Sequence, residues 1–258
     1  MGNNGFAAIR RQYDFRSIGI GNWVTRDEQQ RAAHRFAAAL EDLKTILGGP
    51  ESLVSLRGSL SLEYGIGGQR GVSAHYTPAK RSLSLAKNAG AGSLAHEWFH
   101  ALDHYLATHA FRSAPPDCFA SAAWLKEVPP VDHPLNALLF QCFRAIMVSD
   151  DGGEPSALFR ASARMDERLG TYYYSRPEEM GARAFEAFVQ DAPVKSPFLV
   201  RGTRQSDEAH AGLYPQEPQR KAINQAFGTY FLSLGRALFR ESRKTGTTAV
   251  RGRQSDAV

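Results

Sequence analysis

His96, Glu97 and His100 form a His-Glu-x-x-His pattern inside LAHEWFHALDHYL, residues 94–106. An α-helix advances about 100° per residue, so this spacing predicts two imidazoles one turn apart on one face. Such a pair can grip one zinc ion, and the carboxylate beside the first histidine reaches a zinc-activated water and takes its proton. The chemistry expected here is hydrolysis, with His96 and His100 as ligands and Glu97 as general base.

The pattern is short enough to arise by chance, and the alternative is a structural helix whose histidines are solvated or hydrogen-bonded. The rest of the stretch favours the metal. Leu94, Ala95, Trp98, Phe99, Ala101, Leu102, Tyr105 and Leu106 share one broad arc that wants a core. The other arc carries His96, Glu97, His100, Asp103 and His104, and none of the Lys, Arg, Gln or Ser of an ordinary solvated face. Asp103 and His104 read either as groups that orient the ligating imidazoles or as a solvated helix end.

A catalytic zinc needs a third protein ligand and an open position for water. The downstream route HExxHxxGxxH is closed, because Asp103 and Leu106 occupy its last two positions. The candidate is YYYSRPEEMGARAFEAFV, residues 172–189. Ser175, with Pro177 in the first turn and Glu178 three residues on, predicts a capping-box start, which gives Glu178 a structural task. Beyond it Glu179, Arg183 and Glu186 fall on one stripe of an otherwise apolar helix. Buried charge must be paired or metal-bound, so Glu179 is expected as third ligand, with Arg183 and Glu186 supporting it; a salt-bridged seam without metal is the alternative.

The elements that must position these groups are legible around them. TRDEQQRAAHRFAAALEDLKTILGG opens on Thr25 with Glu28 three residues later and closes on Gly48 and Gly49, a capped helix. Alternation around Leu60, Leu62 and Tyr64, and again around Leu83 and Leu85, predicts two or three antiparallel strands. Gly65, Gly67, Gly68 and Gly71 between them read as turn glycines, since no Gly-Lys-Ser/Thr follows. NAGAGS leads into the histidine helix with Ser93 as its expected N-cap. Residues 118–128, 134–147 and 155–170 read as further helices, and Asp150, Asp151 and Glu154 as a solvated turn.

At 258 residues, 43% hydrophobic and 22% charged, the chain has the composition of a soluble globular protein. The expected organisation is one domain over 1–240 and a mobile basic tail over 241–258. No apolar run is long enough to span a bilayer and the first residues lack a secretory signal, so no membrane association and a cytoplasmic location are expected. Cys118 and Cys142 indicate neither a disulfide framework nor a cysteine-based zinc site. A formal charge of +5 permits nucleic-acid contact without arguing for it.

GSLAHEWFHALDHYL followed by YYYSRPEEMGARAFEAFV resembles the large polyvalent protein-associated domain family, zincin-like domains of phage and mobile-element proteins. GIGNWVTRDEQQRAAHRF and SAHYTPAKRSLSLAKNAGAG upstream resemble its integron-cassette members, which carry a CLCA-like label, and the resemblance spans residues 17–235. The second motif is also similar to the glutamate-bearing helix of the anthrax lethal factor peptidase domain, where a Glu-x-x-Ala-x-Ala-Phe run supplies the third ligand. That similarity implies ligand status for Glu179 and a tyrosine seven residues earlier, Tyr172, as donor to the oxyanion, with Tyr173 and Tyr174 adjacent and the assignment open among them. Gly181 departs from the bulky apolar residue usual at its place.

These readings converge on an α+β, zincin-like fold of gluzincin type, a small antiparallel sheet followed by a mostly helical bundle around the HExxH helix. The expected activity is that of a zinc metallopeptidase: Zn2+ held by His96, His100 and Glu179, Glu97 as base, and a protein or peptide substrate extended along an edge strand near SAHYTPAKRSLSL. Its rival is a non-hydrolytic, zinc-containing binding module of a mobile element that engages nucleic acid or a partner protein.

Overall fold

The computed structural model describes residues 5–66, 74–86 and 92–254. Its elements run α1 (Phe6–Tyr13), β1 (Ser17–Ile20), α2 (Arg26–Leu47), α3 (Glu51–Val54), β2 (Ser61–Tyr64), β3 (Ala74–Thr77) and β4 (Ser82–Leu85). The helical part follows as α4 (Leu94–Ala110), α5 (Ala120–Leu125), α6 (Pro134–Met147), α7 (Ala157–Leu169), α8 (Pro177–Asp191), α9 (Asp207–His210) and α10 (Gln219–Gln254). The chain is therefore α+β and dominated by helix, as expected. Gly67, Gly68 and Gly71, and most of the NAGAGS lead, lie outside the described residues.

The long helix α2 forms as its ends dictate. Thr25 accepts from the Glu28 N–H while the Glu28 carboxylate accepts from the Thr25 N–H, and Gly48 ends the helix in the left-handed region at φ 61°. Ser93, by contrast, makes no capping bond at the start of α4.

The sheet is mixed rather than antiparallel. Its order is β1-β2-β4-β3, with β1 parallel to β2, β2 parallel to β4, and β3 antiparallel to β4. Alternation of apolar residues announces a strand but carries no information about its partner. The helices α2 and α3 lie between β1 and β2 and supply the crossover a parallel pair requires. The hairpin of β3 and β4 then inserts with β4 inside, where all four residues are buried, and leaves β3 as the edge.

The core runs from the sheet through α4 to α8 and α10. Trp98 is buried and donates its indole N–H to the Val54 carbonyl at 2.8 Å, tying α4 to α3. Phe99 stacks on Phe185 of α8 with centroids 5.2 Å apart. Gly181 is explained by the same contact: a Cβ there would stand 2.7 Å from the Phe99 ring. The bulk missing from α8 is supplied by α4, so the two helices that carry the chemical residues approach closely.

At the C-terminal end α10 continues through Gln254, over most of the stretch set apart as a tail. Glu241 is joined to the body by a bidentate pair with Arg57 at 2.7 and 2.8 Å. None of the helices is long and apolar enough to cross a membrane, among the described residues.

Candidate metal centre

One turn of α4 brings His96 Nε2 and His100 Nε2 to 3.0 Å from each other. From α8, Glu179 places Oε2 at 3.3 Å from His96 Nε2 and Oε1 at 3.5 Å from His100 Nε2. Ligand atoms held about 2.0–2.1 Å from a tetrahedral zinc stand about 3.3 Å from one another. The triad therefore has the spacing of three corners of such a site, and its ligand atoms all lie within 4.8 Å. These three residues can hold a metal ion.

The supports fit that use. His96 Nδ1 donates to Glu186 Oε2 at 3.0 Å, which leaves the Nε2 lone pair directed at the triad. Tyr214 donates its hydroxyl to the same Glu186 oxygen at 3.2 Å and holds it in place. The His100 Nδ1, also buried, has no partner among the described residues.

Charge points the same way. Glu97, Glu179 and Glu186 act on this pocket together with the single guanidinium of Arg183. With neutral imidazoles the balance is two negative charges, which a divalent cation offsets. Burial alone would lower the His96 pKa, but the charge of Glu186 and hydrogen bonds to Glu179 and Glu186 overcome it and push it up to about 10. A proton on His96 thus meets the same demand for positive charge. Burial would raise the Glu179 pKa, and the two imidazoles reverse this and hold it far below the usual carboxylate range.

Glu97 sits half-buried beside the triad and accepts the backbone N–H of Tyr76 through Oε2 at 2.7 Å. The edge strand β3 therefore aims this carboxylate. Asp103 and His104 are buried and so no solvated end, and neither makes a hydrogen bond to His96 or His100 among the described residues. Asp103 accepts the N–H and the hydroxyl of Ser121 at 2.8 and 2.5 Å, fixing α5 on α4. His104 donates to the Pro116 carbonyl at 2.6 Å and accepts from the Tyr76 hydroxyl at 2.7 Å, which fastens β3 to the same helix.

The turn before α8 corrects two expectations. Ser175 makes no capping box with Glu178: its N–H and hydroxyl both go to Asp166 Oδ2 on α7, and the N-cap is Arg176 with Pro177 next. Asp166 also accepts the N–H groups of Tyr173 and Tyr174 at 3.0 and 2.8 Å. Burial opposes its charge, yet these donors hold its pKa below the usual range. Arg183 donates to the Tyr174 carbonyl and to Ser162 Oγ at 3.2 Å, so it braces the tyrosine turn rather than bonding Glu179.

The three tyrosines of the turn differ in their surroundings. Tyr172 is 64% exposed with Arg176 over its ring, and Tyr173 is 43% exposed with its phenol pKa raised by partial burial and by the charge of Glu179. Of the three tyrosines of the turn, Tyr173 is the one whose phenol pKa responds to the charge of Glu179. Asp166, Tyr214 and the Tyr76 N–H escaped the sequence reading because nothing local marks them. Asp166 looks like one more acid in ARMDERLG, and its role exists only where α7 meets the turn.

Residues 165–238 match the family model described as large polyvalent protein-associated domain 1. The family read from the motifs holds over this segment. The large polyvalent protein-associated domain segment contains Glu179 with Asp166, Arg183, Glu186 and Tyr214, while α4 with its two histidines precedes it. No curated protein and no solved structure matches the chain.

Proposed function

We propose that this chain is a zinc-dependent metallopeptidase of the gluzincin type, acting in the cytoplasm on protein or peptide substrates in a mobile-element setting. The observation that carries the reading is the convergence of His96, His100 and Glu179, with Glu97 beside them on the same helix. Zinc, when bound, supplies a Lewis acid that polarises a carbonyl and lowers the pKa of water.

The residues of the chain do the rest. Glu97, aimed by the Tyr76 N–H, takes a proton from the attacking water and later delivers it to the leaving amine. Tyr173, in the role first read for Tyr172, donates its phenolic hydrogen to the carbonyl oxygen as negative charge grows there. Glu186 keeps His96 in the tautomer a ligand needs. The peptide lies extended beside β3, the end strand of the sheet, close to the Tyr76 N–H that holds Glu97.

The test combines metal analysis of the purified protein with cleavage of a mixed peptide library, with and without chelator. Wild type is expected to hold one zinc and cleave, and Glu97→Gln to hold zinc but lose roughly 10²–10⁴-fold in rate. Zinc without any cleavage would leave the rival, a metal-holding binding module. Wild-type rates in Glu97→Gln would remove Glu97 as base.

A further inference from the structure

On the side of α4 away from His96 and His100 lies a cavity of about 330 Å³, bounded by α3, α4, α10 and the start of α6. Leu102 and Leu106 face it from α4, Leu53 and Leu56 from the α3 region, and Leu234 and Leu238 from α10. Protein interiors are packed nearly as densely as organic crystals, so a leucine-walled volume of this size is not ordinary packing slack. It falls in the range of sites that take small molecules, about 300–1,000 Å³.

The polar groups around it define what it would take. Arg57 and Glu241 are consumed by their bidentate pair. His133 Nδ1 accepts the Leu135 N–H at 3.2 Å, the Asn136 amide donates to the Ala110 and Val131 carbonyls, and the ring of His109 bonds the Tyr105 carbonyl at 2.7 Å. No charge at the mouth is left seeking a counter-charge. Two phenols of the lining, Tyr105 and Tyr230, make no hydrogen bond through their hydroxyls among the described residues, and Tyr230 is the more buried, at 2% exposed. A hydroxyl with no protein partner has a hydrogen to donate, and a ligand oxygen entering the cavity would accept it.

We propose that this cavity binds a neutral, mostly apolar small molecule with one hydrogen-bond acceptor, received by the Tyr230 hydroxyl. An anionic lipid-like ligand fits less well, because it would have to displace Glu241 from Arg57. The stacked rings of Tyr105 and His109, with centroids 4.2 Å apart, give the mouth a flat wall suited to an aromatic ligand. The site is independent of the metal reading, since it uses none of the triad.

The probe is 6-propionyl-2-(dimethylamino)naphthalene, a neutral two-ring ketone whose emission shifts to the red when its carbonyl accepts a hydrogen bond. Titrated into the full chain it is expected to bind saturably at one site, and more tightly than an anionic naphthalene sulfonate of similar size. Ala237→Trp, an exposed small residue of the lining, should fill the mouth and weaken binding at least tenfold with an unchanged circular dichroism spectrum. Leu234→Trp should do the same from deeper in the wall. Tyr230→Phe should weaken binding roughly two- to tenfold and shift the bound emission to the blue. Absence of saturable binding, or affinity untouched by both tryptophans, overturns the site; unchanged affinity and emission in Tyr230→Phe overturns the role of the hydroxyl.

Discussion

The two ends of α8 carry buried charge in opposite ways. From its start to its middle, Glu179 and Glu186 face two imidazoles, and the ring nitrogen His100 Nδ1 has no partner among the described residues. At its end, Asp191 receives Arg220 through Nε at 2.7 Å and Nη2 at 2.9 Å, Arg204 at 2.9 Å and Asn224 at 2.9 Å. Arg220 is 1% exposed and spends its other donors on the Thr203 hydroxyl and the Thr203, Pro215 and Ala187 carbonyls. The second cluster meets the charge of its carboxylate with two guanidinium groups and an amide and reads as architecture, although Asn224 Oδ1 is buried without a partner among the described residues. The first is an excess of acceptors waiting for positive charge, which is what a metal centre needs and a structural ion pair avoids.

The largest expected effect separates the two by stability. Asp191→Ala strands the buried Arg220 and should cost about 3–5 kcal/mol in urea unfolding, with zinc stoichiometry in the folded fraction unchanged. Loss of zinc at constant stability would break the comparison. Burial would raise the Asp191 pKa, but Arg220 and Asn224 hold it down to about 2 from 3.8. A depressed carboxylate pKa contributes stability above the unfolded value, so this share should be present above about pH 4 and fade as the pH falls toward 2.

Glu179→Gln is the converse. It should weaken zinc binding by roughly 10²-fold or more, measured on the folded protein by competition with a chelating dye. Retained affinity would move the third ligand elsewhere. Smaller still is the contrast between neighbours in the tyrosine turn. Tyr173→Phe should lower kcat/KM about 10²-fold with zinc retained, and Tyr172→Phe should leave it near wild type. The reverse order would return the oxyanion role to Tyr172. Glu178→Gln closes the series: with no capping bond to lose, it should alter stability by less than about 0.5 kcal/mol and leave zinc affinity alone.

Local periodicity in the sequence determined much of this protein. The placement of His96, Glu97 and His100 on one face follows from helical spacing alone, and so does the seam of Glu179 and Glu186 in an apolar helix. The capped helix α2 and the bounds of α6 were equally legible, because their start and stop signals lie within a few residues of each other. Tertiary structure decided what depends on residues far apart in the chain. The parallel pairing of β2 with β4 required knowing that β3 would take the edge. Ser175 offered its hydroxyl equally well to a local cap or to a distant carboxylate, and the packing of α7 supplied Asp166. With that bond the helix begins at Pro177 with Arg176 as its N-cap. Spacing fixes direction within an element, but only packing fixes which partner stands opposite.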